Sequence, residues 1–210
     1  MSKTRIYLAS DSTCQTYDKN EAPQAGWGQF LQGYLNQIEI CNHAIGGRSS
    51  KTFIEEGRLQ AILDDIRSGD YLVIQMGHND STKERPQRYT EPYQDYKKYL
   101  KQYIQGAREK KAIPILITPV TRLHYVNGEF LKDFGDYCNA MKEVANEEAV
   151  ELIDLMYWSN AHLQTIGYKQ AKQYFMLDVN GEDCTHYTET GADQIARIVA
   201  LHLSDMVNMK

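Results

Sequence analysis

Five short apolar runs, at residues 6–9, 38–42, 71–76, 113–118 and 150–155, punctuate this chain. Each is continuous rather than alternating and rich in Ile, Val, Leu and Tyr, the pattern of parallel strands buried on both faces. The stretches between them carry a helical period. Across residues 91–111, Tyr93, Tyr96, Leu100, Tyr103, Ile104 and Ala107 recur at spacings of three and four. Residues 54–66 bring Leu59, Ile62, Leu63 and Ile66 to one side, and a last helix follows from Ala192, Ile195, Ala196, Val199, Leu203 and Met206. Thr190 reads as the N-cap of that last helix, with Asp193 three residues on in a capping-box-like arrangement. Strands alternating with helices imply right-handed crossovers, so the predicted class is α/β: a three-layer doubly wound sandwich with a parallel five-stranded sheet. No linker, repeat or low-complexity segment divides the 210 residues, which read as one domain, 1–210.

The formal charge of −5 and the absence of a Lys/Arg block argue against nucleic-acid or anionic-membrane partners; a neutral, polar small substrate fits better. Cys14, Cys41, Cys138 and Cys184 are far apart, with no Cys-x-x-Cys pair and no metal-ligand spacing, so free thiols and no metal are expected. The run at residues 6–9 is too short for a signal peptide core or a membrane span, and the chain begins at Met1, which predicts a cytoplasmic protein.

In doubly wound sheets ligands bind at the carboxyl ends of the strands. Asp11 and Ser12 follow the first run, Asn42-His43-Ala44-Ile45-Gly46-Gly47-Arg48-Ser49 extends past the second, and Gly77-His78-Asn79-Asp80 follows the third. Asp183-Cys184-Thr185-His186 precedes the last helix. By role these suit acyl transfer. A serine hydroxyl needs a base, and His186 is the candidate; Asp183 could accept its Nδ1 proton and fix the tautomer. For the oxyanion, Gly47 offers an unobstructed backbone N–H, Asn79 its amide, and Ser12 an N–H at an expected helix start.

The four stretches resemble the blocks that name the SGNH (GDSL) hydrolase superfamily. The nucleophile block falls on Asp11-Ser12, the glycine block on Gly47, the Gly-x-Asn-Asp block on residues 77–80, and the Asp-x-x-His block on Asp183 and His186. Asp11-Ser12-Thr13, Asn42-x-Ala44-x-x-Gly47-Arg48-Ser49 and Gly77-His78-Asn79-Asp80 are similar to the rhamnogalacturonan acetylesterase branch. The resemblance implies a flavodoxin-like SGNH fold and a serine esterase without cofactors. Its triad is Ser12, His186 and Asp183, its oxyanion hole Ser12, Gly47 and Asn79, and its partner an acetylated carbohydrate. Asp11, Arg48 and His78 fall in the same blocks, as braces or substrate contacts, with bracing ranked first for His78 and Arg48. Related enzymes deacetylate xylan and other small esters, and a non-catalytic carbohydrate-binding protein of the same fold is a rival. One departure stands out: the family glycine before Asp-Ser is Ser10, which carries strain if the position needs a positive φ and is tolerable if it needs only close packing.

Each feature alone has a plainer reading. Ser12 is a common turn or N-cap residue, Asp183 and His186 suit a helix entry, and residues 46–47 and 79–80 suit loops. It is their conjunction that points to a hydrolase. Residues 46–52 fail as a phosphate loop, since Ser50 and Ile45 stand where glycines are required. His43, His124, His162 and His202 read as structural, and Cys14 and Cys184 as space-filling. Tyr89, Tyr125 and Tyr187 are candidates to line a sugar cleft. The polar loops after Asn79 and Pro119 argue against a lipase or thioesterase channel, and the oligomeric state is open.

Overall fold

The computed structural model describes residues 3–208, so Met1 lies outside the described residues. Its strands are β1 (Arg5–Ala9), β2 (Gln24–Ala25), β3 (Glu39–Asn42), β4 (Tyr71–Ile74), β5 (Ile113–Ile117), β6 (Tyr125–Val126), β7 (Glu129–Phe130), β8 (Glu151–Ile153) and β9 (Tyr187–Thr188). The α-helices are α1 (Leu31–Tyr34), α2 (Ser50–Glu55), α3 (Arg58–Asp65), α4 (Lys97–Glu109), α5 (Gly135–Glu148), α6 (Leu155–Ile166), α7 (Tyr168–Lys172), α8 (Leu177–Asn180) and α9 (Glu189–Asn208).

The predicted sheet is present: five strands in the order β3-β1-β4-β5-β8, every pairing parallel. Alternate residues of each strand serve opposite cores. Ile6, Leu8, Val73 and Ile115 pack with α1, α6 and α9, whereas Tyr7, Ala9, Leu72 and Leu116 pack with α2, α3, α4 and α5. This two-sided burial is why the strands read as unbroken apolar runs. The chain order along the sheet reverses at β1, which opens a crevice beyond the carboxyl ends of β1, β3 and β4.

Several expected boundaries move. The run at 150–155 stops at Ile153, because the Asp154 side chain accepts from the Tyr157 N–H and starts α6. The helix expected over 54–66 is two, separated at Gly57, whose φ of +74° turns the chain. The stretch at 91–111 opens with a wider π-type turn (Pro92–Tyr96) before α4. Thr190 does not cap the last helix. α9 begins at Glu189, and Thr188 Oγ1 accepts from the Gly191 N–H at 3.3 Å, while Asp193 accepts from the Tyr34 hydroxyl at 2.9 Å. No helix among the described residues is long and apolar enough to cross a membrane.

Candidate active site

β1 delivers the chain into a tight turn in which the Cys14 and Gln15 N–H groups both return to the Asp11 carbonyl, at 3.2 and 3.1 Å. The helix expected after Ser12 does not form. The Thr13 and Cys14 carbonyls that would propagate it accept instead from the Trp27 and Gly28 N–H groups, at 3.0 and 3.2 Å. Ser10 is buried and its φ is not in the left-handed region, so it stands in close packing rather than in strain. Its hydroxyl faces the Cys14 thiol and has no oxygen or nitrogen partner among the described residues.

Across 174 residues of chain, His186 Nε2 meets Ser12 Oγ at 2.9 Å, and His186 Nδ1 meets Asp183 Oδ2 at 2.7 Å. Burial pushes the Asp183 carboxyl upward, but the His186 backbone N–H at 2.9 Å, the imidazole and the Thr185 N–H at 2.8 Å outweigh it and hold the carboxyl below its ordinary value. A carboxylate only accepts, so Nδ1 carries the ring proton and Nε2 presents its lone pair to the Ser12 hydroxyl. That tautomer is the one a general base for Ser12 requires.

Ser12, Gly47, Asn79 and His186 line one cleft of about 490 Å³. Among the described residues, neither the Ser12 N–H nor the Gly47 N–H donates to any protein group. Gly47 has φ +79°, a conformation that disfavours any side chain, and a Cβ there would stand 3.9 Å from Arg88 Nη1. Gly46, next to it, is pinned by its N–H to Gln15 Oε1. Asn79 Nδ2 spends one hydrogen on the Arg48 carbonyl at 2.9 Å, which fixes the amide and leaves the second available.

Asp11, Arg48 and His78 are in bracing positions. Asp11, fully buried, accepts from the Thr13 N–H and hydroxyl on Oδ1, at 2.9 and 2.8 Å, and from His78 Nδ1 on Oδ2 at 3.1 Å. His78 Nε2 lies 3.0 Å from the Val120 carbonyl, so the ring is held between two oxygens, the Asp11 carboxylate and that carbonyl. Burial pushes the Asp11 carboxyl up, and the His78 charge with these donors overcomes it and holds it low. Trp27 Nε1 to Gln75 Oε1 (2.7 Å) and Gln75 Nε2 to Thr13 Oγ1 (3.1 Å) extend this buried chain beneath Ser12. Arg48 pairs with Glu56 at 2.9 Å and donates to the Gly46 carbonyl at 2.8 Å.

Sequence reasoning missed Gln15 and Tyr17, whose hydroxyl donates to the Ser12 carbonyl at 3.0 Å, and three cleft arginines, Arg85, Arg88 and Arg122. The polarity of their loops was legible; their convergence was not. Tyr187 does not line the cleft: it is fully buried, and its hydroxyl donates to the Thr121 carbonyl at 2.7 Å. Tyr89 and Tyr125 are not among the cleft-lining residues either, and Tyr125 stacks on Tyr168 in the exposed β6–β7 hairpin. No group of three or more His, Cys, Asp or Glu among the described residues is arranged to hold a metal, and the four cysteines are unpaired.

The model of the GDSL-like lipase/acylhydrolase family matches residues 7–199. A Bacillus subtilis protein described as the probable rhamnogalacturonan acetylesterase YesY is 57% identical over 202 residues, 96% of this chain and 93% of the relative. The rhamnogalacturonan acetylesterase RhgT of the same organism is 38% identical over 213 residues, covering 96% and 90%. Among solved structures, Bacillus subtilis YxiM superposes with a TM-score of 0.86 at 30% identity, over 98% of this chain and 57% of that one. The acetylxylan esterase Axe2 of Geobacillus stearothermophilus matches at 0.68 and 16% identity, over 93% and 92%, a likeness of fold.

Proposed function

The chain belongs to the GDSL-like lipase/acylhydrolase family and is a carboxylic ester hydrolase, and from that premise we propose that it removes O-acetyl groups from rhamnogalacturonan oligosaccharides during pectin breakdown. One observation carries the chemistry: the unbroken hydrogen-bonded line from Asp183 through His186 to Ser12 at the carboxyl edge of the sheet. The substrate rests on the 57% and 38% identical relatives, whose names carry it.

In this reading the Ser12 oxygen attacks the acetyl carbonyl as its proton passes to His186 Nε2, and Asp183 stabilises the imidazolium so formed. The carbonyl oxygen becomes an oxyanion that accepts from the Ser12 and Gly47 N–H groups and from the free hydrogen of Asn79 Nδ2. Collapse breaks the ester bond, and His186 returns the proton to the departing sugar oxygen. Water, deprotonated by His186, then attacks the acetyl group on Ser12; acetate leaves and the serine hydroxyl is restored. No step calls for a metal or an organic cofactor. The family reading treats residues 1–210 as one catalytic domain, and a reducing cytoplasm suits its four unpaired cysteines.

Acetate release from acetylated rhamnogalacturonan, acetylxylan and acetylated monosaccharides tests the substrate. The proposal expects the first to give the highest kcat/KM. Equal or higher turnover of acetylxylan would reassign the substrate while leaving the esterase chemistry intact.

A further inference from the structure

Arg88 and Arg122 line the same cleft as Ser12 and His186, with Arg85 at its more exposed rim. Elsewhere Arg5, Arg48, Arg58 and Arg108 each pair with a carboxylate, and Arg67 and Arg197, which have none within 4.0 Å among the described residues, are exposed to solvent. Among the described residues, Arg85, Arg88 and Arg122 have no carboxylate within 4.0 Å. The Nε atoms of Arg88 and Arg122 are buried without a partner. Arg88 is steadied by Nη2 donating to Thr82 Oγ1 at 3.2 Å, and Arg122 by the face of Phe134, 4.6 Å from its guanidinium carbon.

Half-buried guanidinium groups left unpaired beside a nucleophile are costly unless a ligand completes them. Two of the acids nearby are fully engaged, Asp11 with His78 and Thr13 and Asp183 with His186; Asp133 meets His124 Nδ1 at 3.0 Å through Oδ1 only, and its buried Oδ2 has no hydrogen-bond partner, so its charge acts on Arg122 without an ion pair being formed. The oxyanion of acyl transfer has its own donors. What remains open is a planar anion on the sugar side of the ester, and a guanidinium fork matches a carboxylate in shape and charge.

We propose that Arg88 and Arg122, with Arg85 at the rim, form a carboxylate-reading subsite that selects esters on uronate-containing sugars over esters on neutral ones. This rests on the reading of the site as a carbohydrate esterase and adds the residues that read charge. The arginines act by binding the substrate anion, so their effect falls on KM and weakens with salt.

The test compares kcat/KM for acetylated oligogalacturonate and for acetylated xylo-oligosaccharide of equal length. The full chain, Arg88→Gln, Arg122→Gln and a distant control, Arg108→Gln, are assayed at low and at moderate salt. The expected result is a wild-type preference for the uronate of at least about tenfold. That ratio should fall about tenfold or more in each cleft variant through a raised KM, stay unchanged in the control, and shrink with salt. Inhibition by unacetylated oligogalacturonate, weaker in both cleft variants, is a second readout. A wild type that treats the two substrates alike, or cleft variants that lose both activities in equal proportion, would overturn the subsite and leave the esterase reading standing. A wild type that cleaves p-nitrophenyl acetate but neither sugar ester would overturn the carbohydrate reading and the subsite together.

Discussion

Asp11 and Asp80 both sit in family-like blocks, both are fully buried, and their surroundings drive them in opposite directions. Burial pushes the Asp80 carboxyl up from 3.8 to about 6, against the donors from Ser50 and Thr90. The folded state therefore holds that proton more tightly than the unfolded chain, and stability falls as pH rises from about 4 through about 6. Asp11 has the opposite sign: its contribution is present above the ordinary carboxylate range and is lost as pH falls through its depressed value. Denaturant midpoints measured between pH 3 and 8 should show both limbs. Asp80→Asn should flatten the decline between about pH 4 and 6, an effect on the order of 1–3 kcal/mol. A decline unchanged in that variant would assign it to other groups. At the same scale, Asn79→Ala should lower kcat by roughly 10²–10³ with little change in KM, because the lost donor acts on charge that develops only in the transition state. Single-turnover and steady-state kinetics with p-nitrophenyl acetate separate the two constants. The triad was legible because Ser, His and Asp at strand and helix ends are few and their roles interlock. Arg88 and Arg122 were not, because loop arginines are common and only the fold turns these two into one cleft.

Elements were legible in proportion to how distinctive their pattern was. All five sheet strands were anticipated, since the three central ones, β1, β4 and β5, are buried on both faces and almost wholly apolar, and the edge strands β3 and β8 each keep an apolar centre, Ile40-Cys41 and Leu152-Ile153. α5 escaped notice: much of its buried face is small or polar-tipped, with Tyr137, Cys138, Ala140 and Ala145 beside Met141 and Val144. The start of α6 was hidden because Leu155 continues the apolar run that ends in β8. The cap of α9 was displaced by two residues, since Thr188 and Thr190 are equivalent in the sequence and differ only in tertiary setting. Thr188 Oγ1 accepts from the Gly191 N–H and donates to the Gln173 carbonyl at 2.9 Å, tying the helix that follows His186 to the preceding loop. Thr188→Ala should therefore cost about 1–2 kcal/mol in denaturant unfolding, and Thr190→Ala a few tenths. Equal losses would return the cap to Thr190.

Over the whole molecule, the net charge of −5 pointed to a neutral substrate, yet that sum says nothing of where the charges lie. The acidic surplus is spread over the surface, as in the exposed Glu143 and Glu147 and the half-buried Glu148 that pair with Lys97, Lys101 and Arg108, while the half-buried Arg88 and Arg122 stand unpaired at the cleft. The fold supplies the means. The first strand ends in the nucleophile turn and the last helix begins just after the base, so segments far apart in the sequence meet at the carboxyl edge of the sheet. The most direct test of that closure is hydrolysis of p-nitrophenyl acetate by the wild type and by Ser12→Ala, with matched unfolding midpoints to show that the variant is folded. The account predicts a fall in kcat of about 10³-fold or more, to the level left by the oxyanion donors alone. A folded Ser12→Ala protein that turns over at the wild-type rate would contradict it.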